Sequence, residues 1–107
     1  MKAARAAAFG AMATVLFTAS GLGATRTIVQ NDRSFKPPEV TIAAGDSLAF
    51  SNQDEFIHQI YVDSDQIAYD SAEQPPGQVI TIAFPKSGDF PVRCHIHPKM
   101  LLIVHVK

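Results

Sequence analysis

Seven residues, Cys94-His95-Ile96-His97-Pro98-Lys99-Met100, constrain this chain more than any other stretch. They gather its only cysteine, two of its four histidines and a methionine. A thiolate, an imidazole and a thioether at spacings of three and three are soft and borderline donors of the kind copper prefers. On a single strand Cys94 and His97 have opposite parity and would face opposite sides of a sheet. A helix would align positions 94, 97 and 101, but Pro98 falls inside that turn and pushes the residue before it toward extended geometry. The stretch therefore reads as a tight loop between two strands, Asp89 to Arg93 and Leu101 to Val106. Each residue alone has a plainer reading, with Cys94 a buried core thiol, His97 a loop residue and Met100 packing. Their combination is what points to a metal.

The chain opens on the basic Met1-Lys2-Ala3-Ala4-Arg5, runs through apolar or small residues from Ala6 to Ala19, and offers Gly21-Leu22-Gly23-Ala24 for cleavage. This is the pattern of a secretory signal peptide over residues 1–24. Its apolar core falls short of the ~20 residues that span a bilayer comfortably, which sets the reading apart from a retained anchor. No arginine pair is present, so the general secretory route is expected. Residues 25–107 then form the mature domain, with seven Lys and Arg against ten Asp and Glu. A mildly acidic domain without a basic patch interleaved with aromatics excludes nucleic acid as the expected partner. One cysteine permits no internal disulfide. For so small an exported domain, a bound metal is a recognised way to reinforce a limited core.

From Thr25 onward, short segments alternate apolar and polar residues and are separated by Gly, Pro and Asn-Asp turns, with no amphipathic helix. Thr25 to Gln30 reads as a first strand and Asn31-Asp32-Arg33-Ser34 as a polar turn. Pro37-Pro38 bars the segment from Phe35 from a central strand. Val40 and Ile42, then Leu48 and Phe50, lie on one face of two half-buried strands. Phe56 to Val62 suits a strand with His58 at its start, and Asp63 to Gln78 reads as a long loop with room for a helical turn. Gln78 to Phe84 follows, with Ile80, Ile82 and Phe84 inward. Phe90, Val92 and Cys94 share the inward face of the next strand, and Val104 and Val106 that of the last. About seven short strands give an all-β sandwich with antiparallel, Greek-key connections.

A three-coordinate plane with Cys94 and His97 needs one more nitrogen. His58, at a loop-to-strand junction, is the candidate; His95 points away by parity and His105 lies on an outward face. Two histidines, a thiolate and a weak axial methionine make the ligand set of a blue-copper site. Structural zinc is the competing metal, although thioether is a poor zinc ligand. A catalytic nucleophile is the competing role for Cys94, but no orienting acid is apparent and little chain is left to build a substrate cleft.

Cys94-x-x-His97-x-x-Met100, preceded by Asp89-Phe90-Pro91-Val92-Arg93 and with His58 upstream, resembles the ligand motif of the cupredoxins, the type 1 blue copper family. The short loop with Pro98 is most similar to its amicyanin and plastocyanin-like members. Weaker matches extend over Phe35-Lys36-Pro37, Gly45-Asp46, Asn52, Tyr69-Asp70-Ser71, Pro76-Gly77-Gln78 and Gly88. The resemblance implies one type 1 copper near one end of the sandwich, held by His58, Cys94 and His97 with Met100 axial, and an Asn52 side chain that ties the ligand loops together. Two departures stand out. Ile96 replaces a usual proline, which restores a backbone N–H near the sulfur, and Leu101 and Leu102 replace a charged residue and a glycine. The implied function is single-electron transport in the periplasm, not enzymatic, by a monomer shuttling between redox proteins such as a dehydrogenase and a cytochrome. Copper delivery or storage is the alternative. Electrons are expected to cross at His97, with Pro98, Leu101 and Leu102 as a docking patch.

Overall fold

The structure is a computed structural model that describes residues 23–107. Apart from Gly23 and Ala24, the expected signal peptide lies outside the described residues. Within them the chain forms eight strands and no helix: β1 Thr25–Asn31, β2 Ser34–Lys36, β3 Glu39–Ile42, β4 Ser47–Asn52, β5 Ile60–Val62, β6 Val79–Ala83, β7 Gly88–Cys94 and β8 Leu101–Val106. No helix of the described residues is long and apolar enough to cross a membrane.

Two four-stranded sheets, ordered β2-β1-β4-β6 and β3-β8-β7-β5, pack face to face. Strict alternation drives this arrangement. Leu48, Phe50 and Asn52 of β4 turn inward, as do Phe90, Val92 and Cys94 of β7 and Leu102, Val104 and Val106 of β8. Period-two patterning of this kind gives each strand one face to bury. Phe50, Phe84, Phe90, Leu48 and Ile28 fill the space between the sheets with essentially no exposure. Phe35 meets Phe50 edge-on, with ring centroids 5.9 Å apart.

The β3–β4 turn shows how local chemistry closes the sandwich. Gly45 sits at φ 96°, a left-handed position that glycine takes without steric cost. Asp46 N–H donates to Ala43 O at 3.0 Å, while the Asp46 carboxylate accepts from the N–H groups of Ala43 and Ala24, both at 2.9 Å.

Three expectations need correction. The strands are not all antiparallel, because β1 runs parallel to β4 and β3 parallel to β8. After the β1–β2 hairpin the chain crosses to the opposite sheet as β3 and returns beside β1 as β4; the length of that crossover permits a parallel pairing. The segment before Pro37 stays out of any central strand, as expected, and pairs only as the edge strand β2 against β1, where missing donors on one side are tolerated. The strand expected from Phe56 begins only at Ile60, because His58 is drawn inward and makes an isolated bridge with Gln74. The 63–78 connection carries no helical turn and is pinned by that bridge and a second between Tyr61 and Asp70.

Candidate metal centre

β7 delivers Cys94 to the interior at its last residue, opposite Ile60 of β5, and the thiol is 2% exposed. On the facing connection His58 is fully buried, and its backbone exchanges two hydrogen bonds with Gln74, of 3.1 and 2.7 Å. Asn52 fixes that connection. Its Nδ2 donates to Phe56 O and Gln74 O, each at 2.9 Å, and its Oδ1 accepts from Asp54 N–H. These bonds tie the His58-bearing connection to Gln74, while the resemblance implied a tie between that connection and the Cys94–Met100 loop, to which Asn52 makes no side-chain hydrogen bond. The loop after Cys94 turns back on itself through Met100 N–H donating to His97 O at 2.9 Å, and it leaves His97 half-buried against the edge of Phe56.

The result is a convergence of three donors. Cys94 Sγ lies 3.8 Å from His58 Nδ1 and 3.9 Å from His97 Nδ1, and the two Nδ1 atoms are 3.2 Å apart. A point equidistant from the three lies about 2.1 Å from each, within the bond range of a late first-row ion to imidazole and slightly short of a thiolate bond.

His58 Nε2 is 3.1 Å from Asp54 Oδ2, an oxygen that also accepts Arg33 N–H at 2.7 Å. Burial pushes the Asp54 carboxyl up, but hydrogen bonds from the Arg33 N–H, the His58 ring and the Asp32 N–H bring it below the usual carboxylate range. An ionised carboxylate only accepts, so the proton belongs on Nε2 and the Nδ1 lone pair faces the cluster. Burial in turn pulls His58 below the ordinary histidine range despite the nearby carboxylate. A neutral imidazole is the form that binds metal. His97 Nδ1 lies 3.2 Å from His58 Nδ1, so with the His97 proton on Nε2 both nitrogen lone pairs and the sulfur face one point that a cation would fill.

Of the four residues expected from sequence, His58, Cys94 and His97 are brought together. Met100 is buried at the end of the same loop, at 1% exposure. His95 points outward, stacked on Tyr61 at 4.0 Å and within 3.0 Å of Asp70 Oδ2. His105 lies on the far face, held by Asp89 and Glu39. Ile96 does not supply the hydrogen bond to sulfur that its free N–H invited; Gln59 N–H does, at 3.4 Å from Cys94 Sγ. Leu101 is 39% exposed, but Leu102 is fully buried and leaves the expected docking patch, because it shares the inward parity of Val104.

Sequence reasoning missed Asp54, which precedes the strand read from Phe56. It also missed the buried Gln30–Gln74 pair, in which Gln30 Nε2 donates to Gln74 Oε1 at 2.8 Å. The spacing of four between Asp54 and His58 was a signal, but outside a helix that spacing does not by itself bring side chains together.

A β-sandwich with a buried His-Cys-His cluster at the end of its strands defines a metal-binding protein of the cupredoxin class. Residues 24–107 match the sequence model of the copper binding proteins, plastocyanin/azurin family, and the chain belongs to that family. It is 32% identical over 72 residues to the chloroplastic plastocyanin of Tetradesmus obliquus, a match covering 59% of this chain and 50% of that protein. The chain thus spans about half the length of that relative. Among solved structures it is similar to a novel purple cupredoxin from Nitrosopumilus maritimus, with TM-score 0.70, 18% identity, 77% of this chain and 99% of that one. It is also similar to amicyanin from Paracoccus versutus (Thiobacillus versutus), with TM-score 0.71, 23% identity, 78% of this chain and 81% of that one. These last two likenesses concern the fold. The family binds copper, and one thiolate with two neutral imidazoles is a donor set that fits a single copper ion.

Proposed function

We propose that this chain is an exported, monomeric electron carrier rather than an enzyme, with one type 1 copper held by His58, Cys94 and His97 and with Met100 as the axial ligand. Bound copper supplies a one-electron couple between its two common oxidation states. The observation that carries the reading is the enclosure of the cluster: two donors are buried, and only the half-buried His97 reaches toward the surface. The residues around it are tied to other protein groups. Asp54 fixes the His58 ring, Asn52 fixes the connection that bears it, and Gln59 N–H steadies the sulfur. Outer partners of this kind orient ligands and tune the metal. A site that changes little between oxidation states suits electron transfer, and an imidazole edge near solvent gives the electron its exit.

Copper delivery or storage is less well supported, since His95 and His105 are each engaged by carboxylates away from the cluster. A chelator challenge separates the two readings. An electron carrier should show a reversible one-electron wave in voltammetry and lose copper to excess chelator over hours. A delivery protein should surrender it within seconds. Export of a form lacking residues 1–24 is checked by the intact mass of protein recovered from the periplasm, where full-length mass would count against it.

A further inference from the structure

Beside His97 lies an open depression of about 490 Å³ lined by Asp32, Arg33, Ile96, His97, Pro98 and Lys99. We propose that it docks the acidic face of a protein redox partner, whose carboxylates are received by Arg33 and Lys99. The proposal rests on the electron-carrier reading and names the partner of the same site.

Charge carries the argument. The depression holds three charged side chains, and its one carboxylate, on Asp32, is occupied by Lys36 Nζ at 3.2 Å. Neither Arg33 nor Lys99 makes a salt bridge among the described residues, and both are exposed. The lining of the depression therefore carries a net positive charge, although the domain as a whole carries more acidic than basic residues. Over a Debye length of about 8–10 Å, remote carboxylates are screened and the local pair dominates the encounter. Ile96, 42% exposed, and Pro98 supply an apolar centre between the two cations. A small apolar patch with a charged rim fits a transient complex in which the rim sets the rate of association.

Backbone geometry shows that the position of Arg33 is built. Asp32 and Arg33 sit at φ 54° and 53°, the two left-handed positions of the two-residue β1–β2 hairpin turn. The turn is held there because Arg33 N–H donates to Asp54 Oδ2, the same oxygen that orients His58. Its guanidinium is then laid over the Phe56 ring, 4.6 Å from the centroid, and Phe56 in turn abuts His97. A glycine turn would form the same hairpin more easily but would present no cation.

The test is stopped-flow electron exchange of the copper-loaded full domain with cytochrome c in two forms, native and basic or lysine-succinylated and acidic. Rates are corrected for driving force and taken at about 0.1 M ionic strength, where the screening length is about 10 Å. The net charge of the domain alone favours the basic form. The proposal predicts that the acidic form reacts about tenfold faster, that the advantage collapses with added salt, and that Arg33→Glu with Lys99→Glu reverses the order. Lys99→Glu alone, on an exposed loop position, should remove about threefold should the double variant fail to fold. A faster basic form, or a ratio unmoved by both variants, would overturn the proposal. Acceleration of hexacyanoferrate without acceleration of succinylated cytochrome would make the depression a small-anion site, and a dimer in sedimentation that Lys99→Glu dissolves would make a second copy its occupant; either outcome overturns it. Failure of copper-loaded protein to exchange electrons with any of these reagents would instead overturn the carrier reading itself.

Discussion

His58 and His105 both lie against carboxylates, and the chain uses them in opposite ways. His58 is fully buried and meets one carboxylate through Nε2, so Nδ1 stays free and burial holds the ring below the ordinary histidine range. His105, on the outward face of β8, spends both nitrogens. Nδ1 lies 2.6 Å from Asp89 Oδ1 of β7, and Nε2 faces Glu39 Oε2 of β3. The hydrogen bonds to Asp89 and then Glu39 raise it above that range. One ring is a neutral donor with a lone pair to give; the other is drawn toward its charged form by carboxylates on two neighbouring strands. Burial and the number of acidic neighbours, not the residue type, fit one histidine to serve as a ligand and the other as a clamp.

The contrast can be broken most forcefully at the metal. With copper in thousandfold excess over its dissociation constant, binding should stabilise the fold by about 4 kcal/mol, or on the order of 20 °C in melting temperature. His58→Ala should abolish that gain and His105→Ala should leave it intact, as read by calorimetry with and without copper. Equal losses in both variants would mean that the two histidines are not distinguished by burial.

Asp54→Asn sharpens the comparison next. It keeps an acceptor for His58 Nε2 but removes the charge that fixes the tautomer, so copper affinity should fall about 10–100-fold in a chelator competition. The copper-free fold should lose about 1–2 kcal/mol by denaturant titration. An unchanged affinity would show that the ring is held by packing alone.

The smallest effect lies with the clamp. The folded-state pKa of His105 is above its unfolded value, so its contribution is fully present below the unfolded pKa of about 6.5 and is lost as pH rises through the raised folded value. His105→Gln should therefore lower the melting temperature slightly at pH 6 and match the unsubstituted protein at high pH. A difference that grows with pH would reverse the assignment.

Much of this was legible in the chain. Opposite parity of Cys94 and His97, broken by Pro98, forced a ligand loop, and alternation in β4, β7 and β8 gave the two-sheet core. The burial of Leu102 was equally legible in its parity with Val104, so removing it from the docking patch needed no structure. Parallel pairing of β1 with β4 was not legible, because alternation reports which face is buried and not which neighbour lies alongside. Nor was Asp54, whose role depends on a tertiary meeting of the 53–57 connection with the Asp32–Arg33 turn. Parity also assigned His105 outward without revealing the two carboxylates that hold it, since Glu39 and Asp89 reach it only through the β3–β8 and β7–β8 pairings.

The central claim is that His58, Cys94 and His97 converge on one copper through a thiolate. Titration of the metal-free domain with Cu(II), followed by visible absorption, addresses it most directly. An intense sulfur-to-copper charge-transfer band should grow to saturation at one equivalent and be absent in Cys94→Ser. A colourless complex, a band that survives in Cys94→Ser, or saturation well beyond one equivalent would contradict the account.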